Sequence, residues 1–324
     1  MTSSECISYT LKGNKEGRFA VALIKDNDVS FHMYTYDGIE DNKLDTSFEI
    51  SSITKTITAS LIQKEILKGN LKLNDTIDTI LSYENDNHYS SIEELVTHTS
   101  GCKGYYFCFP FMKNFFTKEN PFTGVTKEKI REQGRKLDLK EDSYPWLYSN
   151  FGFALLSLVL EEKSGKTCGD LINSYLRENN MANSYVTQGK SKIDKGWTWE
   201  KDDGYVAAGG VVSNIKDMVR YALLQLNEEE SYVLESHKKI KDINECNPMW
   251  KALDINLDAM ALSWVLDEKN GFIWHDGGTH NYNSYIGFKP ETNSAVVVLS
   301  NLKPSYRINA TVIGVKLLKE MQNL

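Results

Sequence analysis

The stretch "FEISSITKTITASL", residues 48–61, decides how the chain is read. An extended Phe-Glu-Ile runs into two serines, and a lysine stands three positions after the second, inside the start of a helical pattern. Apolar residues at 53, 57, 61, 62, 66 and 67 follow the 3.6-residue period, and Gly69-Asn70 stops it. Ser52 and Lys55 therefore lie at i,i+3 on one helix face, where side chains meet. A serine at a helix start also sits at the positive end of the macrodipole, which favours an oxyanion forming beside it. The plainer reading is a capped surface helix with an ordinary lysine. Ser-x-x-Lys occurs five times here (Ser52/Lys55, Ser100/Lys103, Ser213/Lys216, Ser236/Lys239, Ser300/Lys303). Context selects the first, where an extended segment enters a long helix.

Outward from this stretch, both ends of the chain read as strands. "RFAVALIKDN", "DVSFHMYTYDG" and "TSFEIS" near the amino end, and "MALSWVLDE", "GFIWHDGG" and "NSYIGFKPETNSAVVVLSN" near the carboxyl end, alternate or run apolar between turn dipeptides. A final helix, "RINATVIGVKLLKEMQN", follows. The middle is mostly helical, with "SNFGFALLSLVLEEKSG" and "NIKDMVRYALLQLN" as its clearest segments. The expectation is an α+β fold: an antiparallel sheet built from both chain ends, flanked by helices, with a helical lobe inserted. The whole chain, 1–324, reads as one unit with a sheet lobe at about 1–50 plus 258–324, a helical lobe at about 51–257, and a site in the cleft between them.

Composition narrows the function. The 324 residues carry a formal net charge of −7, with 41% hydrophobic and 25% charged residues, which is ordinary for a globular protein. That charge gives no overall electrostatic footprint for nucleic acid or an anionic membrane, so neither is expected as a partner. Apolar runs such as "FALLSLVL" are too short to span a bilayer. The opening "MTSSECISYTLKGNKEGRF" has no apolar core of a signal peptide, so a cytoplasmic location is expected. Five cysteines without a CxxC pair favour free thiols over a disulfide framework or a metal site at Cys102 and Cys108. No metal-ligand spacing and no phosphate loop occurs, so no metal or cofactor is expected; "AAGGVV" lacks the required lysine. The aromatic run "YYFCFPFMKNFF", 105–116, is too apolar for a solvated loop and reads as inter-lobe packing or an acyl-pocket wall. His32, His88 and His237 are isolated and are assigned no chemistry.

Two further motifs complete a constellation. Tyr148-Ser149-Asn150 stands immediately before an apolar helix, and His275-Asp276-Gly277-Gly278 ends one predicted strand ahead of the next. In order and setting, with "ELVTHTSGC" and "YVAAGGVVSNIKDM" as added likenesses, these motifs resemble the serine β-lactamase and penicillin-binding-protein superfamily. The resemblance covers residues from about 19 to 318. It implies Ser52 as an acylated nucleophile and Lys55 as the base that takes its proton. Near pH 7 that requires disfavouring the ammonium by roughly 4 kcal/mol. It implies Tyr148 as proton relay to the leaving group, and Asn150 as orienter of Lys55 and partner of a substrate carbonyl. The backbone N–H groups of Ser52 and Gly278 are the implied oxyanion hole. His98 is implied as a structural residue of a turn before a helix.

The third motif departs from the pattern. Penicillin-handling members usually have Lys-Thr-Gly there, and the lysine meets a carboxylate; here stand His275, Asp276 and Gly277. A histidine titrating near 6.5 and an acidic neighbour argue against carboxylate recognition, unless strand alternation turns Asp276 away. The motif resembles esterase, amidase and D-amino-acid peptidase branches. The expected function is a serine hydrolase acting on a small ester, amide or peptide. The alternatives are a β-lactamase or D,D-carboxypeptidase, and a non-catalytic penicillin-binding or sensor protein of the same fold. An unrelated serine hydrolase would need a Gly-x-Ser-x-Gly elbow, which is absent from the sequence.

Overall fold

The computed structural model describes residues 1–322 except 27, 118–119, 141–143 and 246. Its largest element is a nine-stranded antiparallel sheet. In chain order the strands are β1 (Arg18–Lys25), β2 (Asp28–Thr35), β3 (Gly38–Ile39), β4 (Ser47–Glu49), β5 (Tyr185–Val186), β6 (Val211–Asn214), β7 (Lys241–Glu245), β8 (Leu257–Met260), β9 (Val265–Asp267), β10 (Phe272–Gly278), β11 (Asn283–Lys289) and β12 (Ser294–Ser300). The sheet runs β3-β2-β1-β12-β11-β10-β9-β8-β7, which pairs the two chain ends at β1 and β12.

Alternation along β1 divides the core in two. Phe19 and Val21 point to one face and pack with Trp274, Val296 and Val298 under an amino-terminal helix (Ser3–Leu11) and the carboxyl-terminal helix (Ala310–Gln322). Ala20, Ala22 and Ile24 point to the other and join the larger core beneath the helical region. The sheet is thus sandwiched between helical layers.

Three details differ from the sequence expectation. The first element is the helix Ser3–Leu11, closed by a capping box in which Thr2 and Glu5 satisfy each other's backbone N–H. The main sheet takes in β7, ahead of the expected boundary at 258. "TSFEIS" forms β4 as expected, but β4 pairs with β6 in a separate three-stranded sheet.

The helix after Ser52, Thr54–Leu67, is central and not amphipathic: its residues from Thr54 to Ser60 are all buried. Its hydroxyls are satisfied locally or by neighbours. Thr58 Oγ1 donates to Ala207 O at 2.9 Å, Ser60 Oγ to Thr56 O at 3.0 Å, and Thr54 Oγ1 accepts from Val211 N–H at 3.2 Å. Buried polar groups with partners cost little, which lets a threonine-rich helix occupy the core.

Candidate active site

Ser52 lies in a single 3-10 turn, Ser51–Ile53, between β4 and the central helix. Ser51 holds φ at 51°, a left-handed conformation that costs a non-glycine residue of order 1 kcal/mol or more. The turn is tied down on both sides. Ile50 O accepts from Ser284 Oγ of β11 at 2.8 Å, and Ile50 N–H donates to Val211 O at 3.1 Å. Ser52 remains partly exposed while Ser51 and Ile53 on either side are buried.

Lys55 is fully buried, and its Nζ lies 3.1 Å from Ser52 Oγ, 2.7 Å from Asn150 Oδ1 and 2.7 Å from Ala208 O. The Tyr148 ring centroid is 4.9 Å from the same nitrogen. Burial pushes the lysine well below its ordinary value of 10.5, against an opposing pull from Asp276. A neutral amine has two N–H groups and one lone pair. In that form the two carbonyl oxygens would take the N–H groups and leave the lone pair for the Ser52 hydroxyl.

Burial raises the Tyr148 phenol far above 10, against a smaller opposing influence of the neighbouring Ser52, so it stays protonated. Asn150 begins the helix Asn150–Ser164, one residue earlier than the sequence suggested. The N-cap is Ser149, whose Oγ accepts from Gly152 N–H at 2.9 Å and donates to Lys103 O at 2.7 Å. With that duty taken, the Asn150 amide is free to face Lys55.

His98 follows the short helix Ile92–Val96, in a left-handed turn at φ 59°. Its Nδ1 accepts from Ser149 N–H at 3.1 Å, and its ring packs 4.5 Å from that of Tyr148. Burial keeps the imidazole well below 6.5 and neutral. His98 therefore holds the Tyr148 segment in place.

The third motif sits on β10 with its residues sorted by alternation. Gly277 faces the nucleophile turn so closely that an added Cβ would overlap Ile50 O and stand 2.9 Å from Ser52 N. Only glycine admits that approach. His275 shares the Gly277 face. Asp276 points to the opposite one, where it accepts from Thr311 Oγ1 of the carboxyl-terminal helix at 2.6 Å. The expected repulsion of carboxylates by Asp276 is therefore corrected: its charge lies behind the sheet. The expectation that His275 titrates near 6.5 is also corrected. Burial lowers it to about 3, and its Nδ1 bonds Asp276 O at 2.6 Å. The motif thus presents a neutral imidazole to the cleft. Gly278 ends the strand, with Pro304 packed against its Cα side.

Glu49 was not singled out by sequence. Buried one residue before Ile50, it accepts from Trp197 N–H and from Thr279 Oγ1, the latter at 2.6 Å, so it joins β4 to the residue after Gly278. Desolvation raises its carboxyl from 4.5 to about 7. A carboxyl raised on folding binds its proton more tightly in the native state, so stability falls as pH rises from about 4.5 to 7. The Tm of the wild type relative to Glu49→Gln should accordingly drop between about pH 5 and about pH 8. A difference that stays constant would show that the carboxyl does not titrate there.

The aromatic run meets the expectation of inter-lobe packing only in part. Its helix, Phe109–Thr117, buries Phe111 and Asn114, whereas Phe107, Phe109, Phe115 and Phe116 are 64–80% exposed. The packed part forms a ring-to-ring series from Tyr105 through Phe111 and Phe122 to Trp197 and His280. Of the other histidines, His32 meets Asp41 and His237 meets Glu228. Cys6, Cys102, Cys108 and Cys168 are free, and Cys246 lies outside the described residues. Among the described residues no cluster has the makings of a metal site, and no helix is long and apolar enough to cross a membrane.

Protein flp of Staphylococcus aureus (strain N315) is 26% identical over 328 residues, covering 91% of this chain and 61% of flp. The chain therefore spans about three fifths of the length of the curated relatives it matches first. A β-lactamase/D-alanine carboxypeptidase from Yersinia pestis, complexed with citrate, superposes with a TM-score of 0.77 at 21% identity, over 99% of this chain and 96% of that one. A D-stereospecific amidohydrolase from Streptomyces sp. gives 0.71 at 16% identity, over 97% and 98%. At these identities the two structures establish the fold. The family profile described as Beta-lactamase matches residues 14–316, nearly the whole sequence, and the chain belongs to the Beta-lactamase family.

Proposed function

We propose that the protein is a serine hydrolase that forms an acyl-enzyme on Ser52 and acts on small, uncharged esters or amides. The observation that carries this reading is the placement of Lys55 Nζ against Ser52 Oγ and two carbonyl oxygens: in the neutral amine those carbonyls take both N–H groups, and the lone pair meets the Ser52 hydroxyl. As Ser52 Oγ attacks a carbonyl carbon, its proton passes to Lys55. The backbone N–H groups of Ser52 and Gly278 receive the developing oxyanion. Tyr148, held as a neutral phenol, donates to the departing alcohol or amine and is reprotonated from Lys55. Water then attacks the ester and gives its proton to the same pair.

The proposed substrate class rests on the third motif. Neither His275 nor Asp276 brings charge to the cleft, so the cationic grip on a carboxylate is missing, a charged hydrogen bond worth about 1.5 to 3 kcal/mol. The related folds include a named β-lactamase/D-alanine carboxypeptidase and a named D-stereospecific amidohydrolase, so the scaffold accommodates either chemistry. Measuring kcat/KM for p-nitrophenyl butyrate, a D-aminoacyl p-nitroanilide and nitrocefin in one buffer separates the readings. We expect the ester or the anilide to lead. Nitrocefin leading by about tenfold, equivalent to 1.4 kcal/mol in the barrier, would make the protein a β-lactamase.

A further inference from the structure

The helix Phe109–Thr117 turns its apolar stripe outward. Phe109 is 79% exposed, Met112 48%, Phe115 64% and Phe116 80%, at a spacing that places them on one side. Phe107, in the loop before it, adds to the same apolar region. A helix in water normally shows the reverse arrangement, and exposed apolar surface on this scale marks an interaction site.

Residues 101–117 contain Lys103 and Lys113 and no Asp or Glu, in a chain whose net charge is −7. Both lysines are exposed, and among the described residues neither forms an ion pair. The overall charge that argued against an anionic surface is an average, and it hides this local cationic, aromatic face.

The face adjoins the site. Lys103 O accepts from Ser149 Oγ, and Gly104 O accepts from Phe151 N–H at 3.1 Å, so the segment is pinned to the start of the helix that carries Asn150. Leu147, 50% exposed, stands next to Tyr148.

We propose that this face seats the protein on the surface of an anionic lipid aggregate, apolar side chains among the acyl chains and lysines among the head groups. Phenylalanine combined with lysine on a short surface helix is the composition of an element that lies in a lipid interface. A second copy of the chain fits less well. In a two-fold contact the patch meets itself, which gathers four lysines in one interface with no carboxylate from residues 101–117 among them.

The inference concerns binding and stands apart from the chemistry at Ser52, so Ser52→Ala should bind as the wild type does. The test is co-sedimentation of the full chain with phosphatidylcholine vesicles, with and without phosphatidylglycerol. We expect sedimentation with the anionic vesicles, weakened by added salt. Phe115→Ser with Phe116→Ser should lower partitioning by at least about tenfold, from the apolar area removed, while leaving Tm and hydrolysis of a soluble ester unchanged. Lys113→Glu should abolish the preference for anionic vesicles. Wild type that stays in the supernatant with both vesicle types would overturn the proposal. So would partitioning that the double substitution does not alter, or a dimer that this substitution dissociates in the absence of vesicle binding.

Discussion

Ser52→Ala should lower turnover by about 10⁶-fold, the scale seen when an acyl-transfer nucleophile is removed, while the protein remains folded. The two parts of this expectation have separate causes. The attacking oxygen is lost, and Ser51, whose hydroxyl is buried at a left-handed turn, is not placed to replace it. Stability is nearly conserved because Ser52 is partly exposed, and Lys55 keeps its bonds to Asn150 and Ala208. A change within about 1 kcal/mol is expected. Rates of ester hydrolysis and thermal unfolding of the same preparation check both parts.

Lys55→Arg should reduce kcat/KM by at least about 10³-fold, although it keeps the positive charge that a mere ion-binding role would need. An arginine stays protonated throughout the working pH range, and a neutral base is what the geometry requires. It should also destabilise the fold, since a guanidinium cannot shed its charge in a fully buried site. Lys55→Met, which leaves no charge to bury but removes the donor to Asn150 Oδ1 and Ala208 O, should destabilise the fold less than the arginine and be equally inactive. In the wild type, burial lowers the lysine far below 10.5, so activity should rise with pH and reach its plateau well below that value. The apparent pKa belongs to the coupled Lys55 and Tyr148 pair. His275, lowered to about 3, does not shape the neutral range, so His275→Gln should leave the position of the limb unchanged.

Much of this was legible in the sequence, because strand alternation and helical period are local signals. The pairing of β1 with β12 followed from strands at both ends, and Ser52, Lys55, Tyr148 and Asn150 converge as the motif order implied. What escaped depended on contacts between distant segments. The central helix read as amphipathic because its threonines look polar, yet partners at Ala207 and Val211 let them be buried. Glu49 read as part of a strand, and only the arrival of Trp197 and Thr279 reveals its buried carboxyl. The face of Asp276 was left open in the sequence; strand alternation turns it away from Ser52, and Thr311 behind the sheet receives it. The helix Ser3–Leu11 was different: Thr-x-x-Glu at 2–5 is a local capping signal, present and unread.

The central claim is that Ser52 is the nucleophile primed by a neutral Lys55. Its most direct test is the position of the covalent adduct after treatment with a fluorophosphonate, mapped by peptide mass spectrometry. The account predicts a single adduct on Ser52 in the wild type and none in Lys55→Arg. An adduct on Ser100, Ser213 or any other residue, or undiminished labelling of Ser52 in Lys55→Arg, would contradict it.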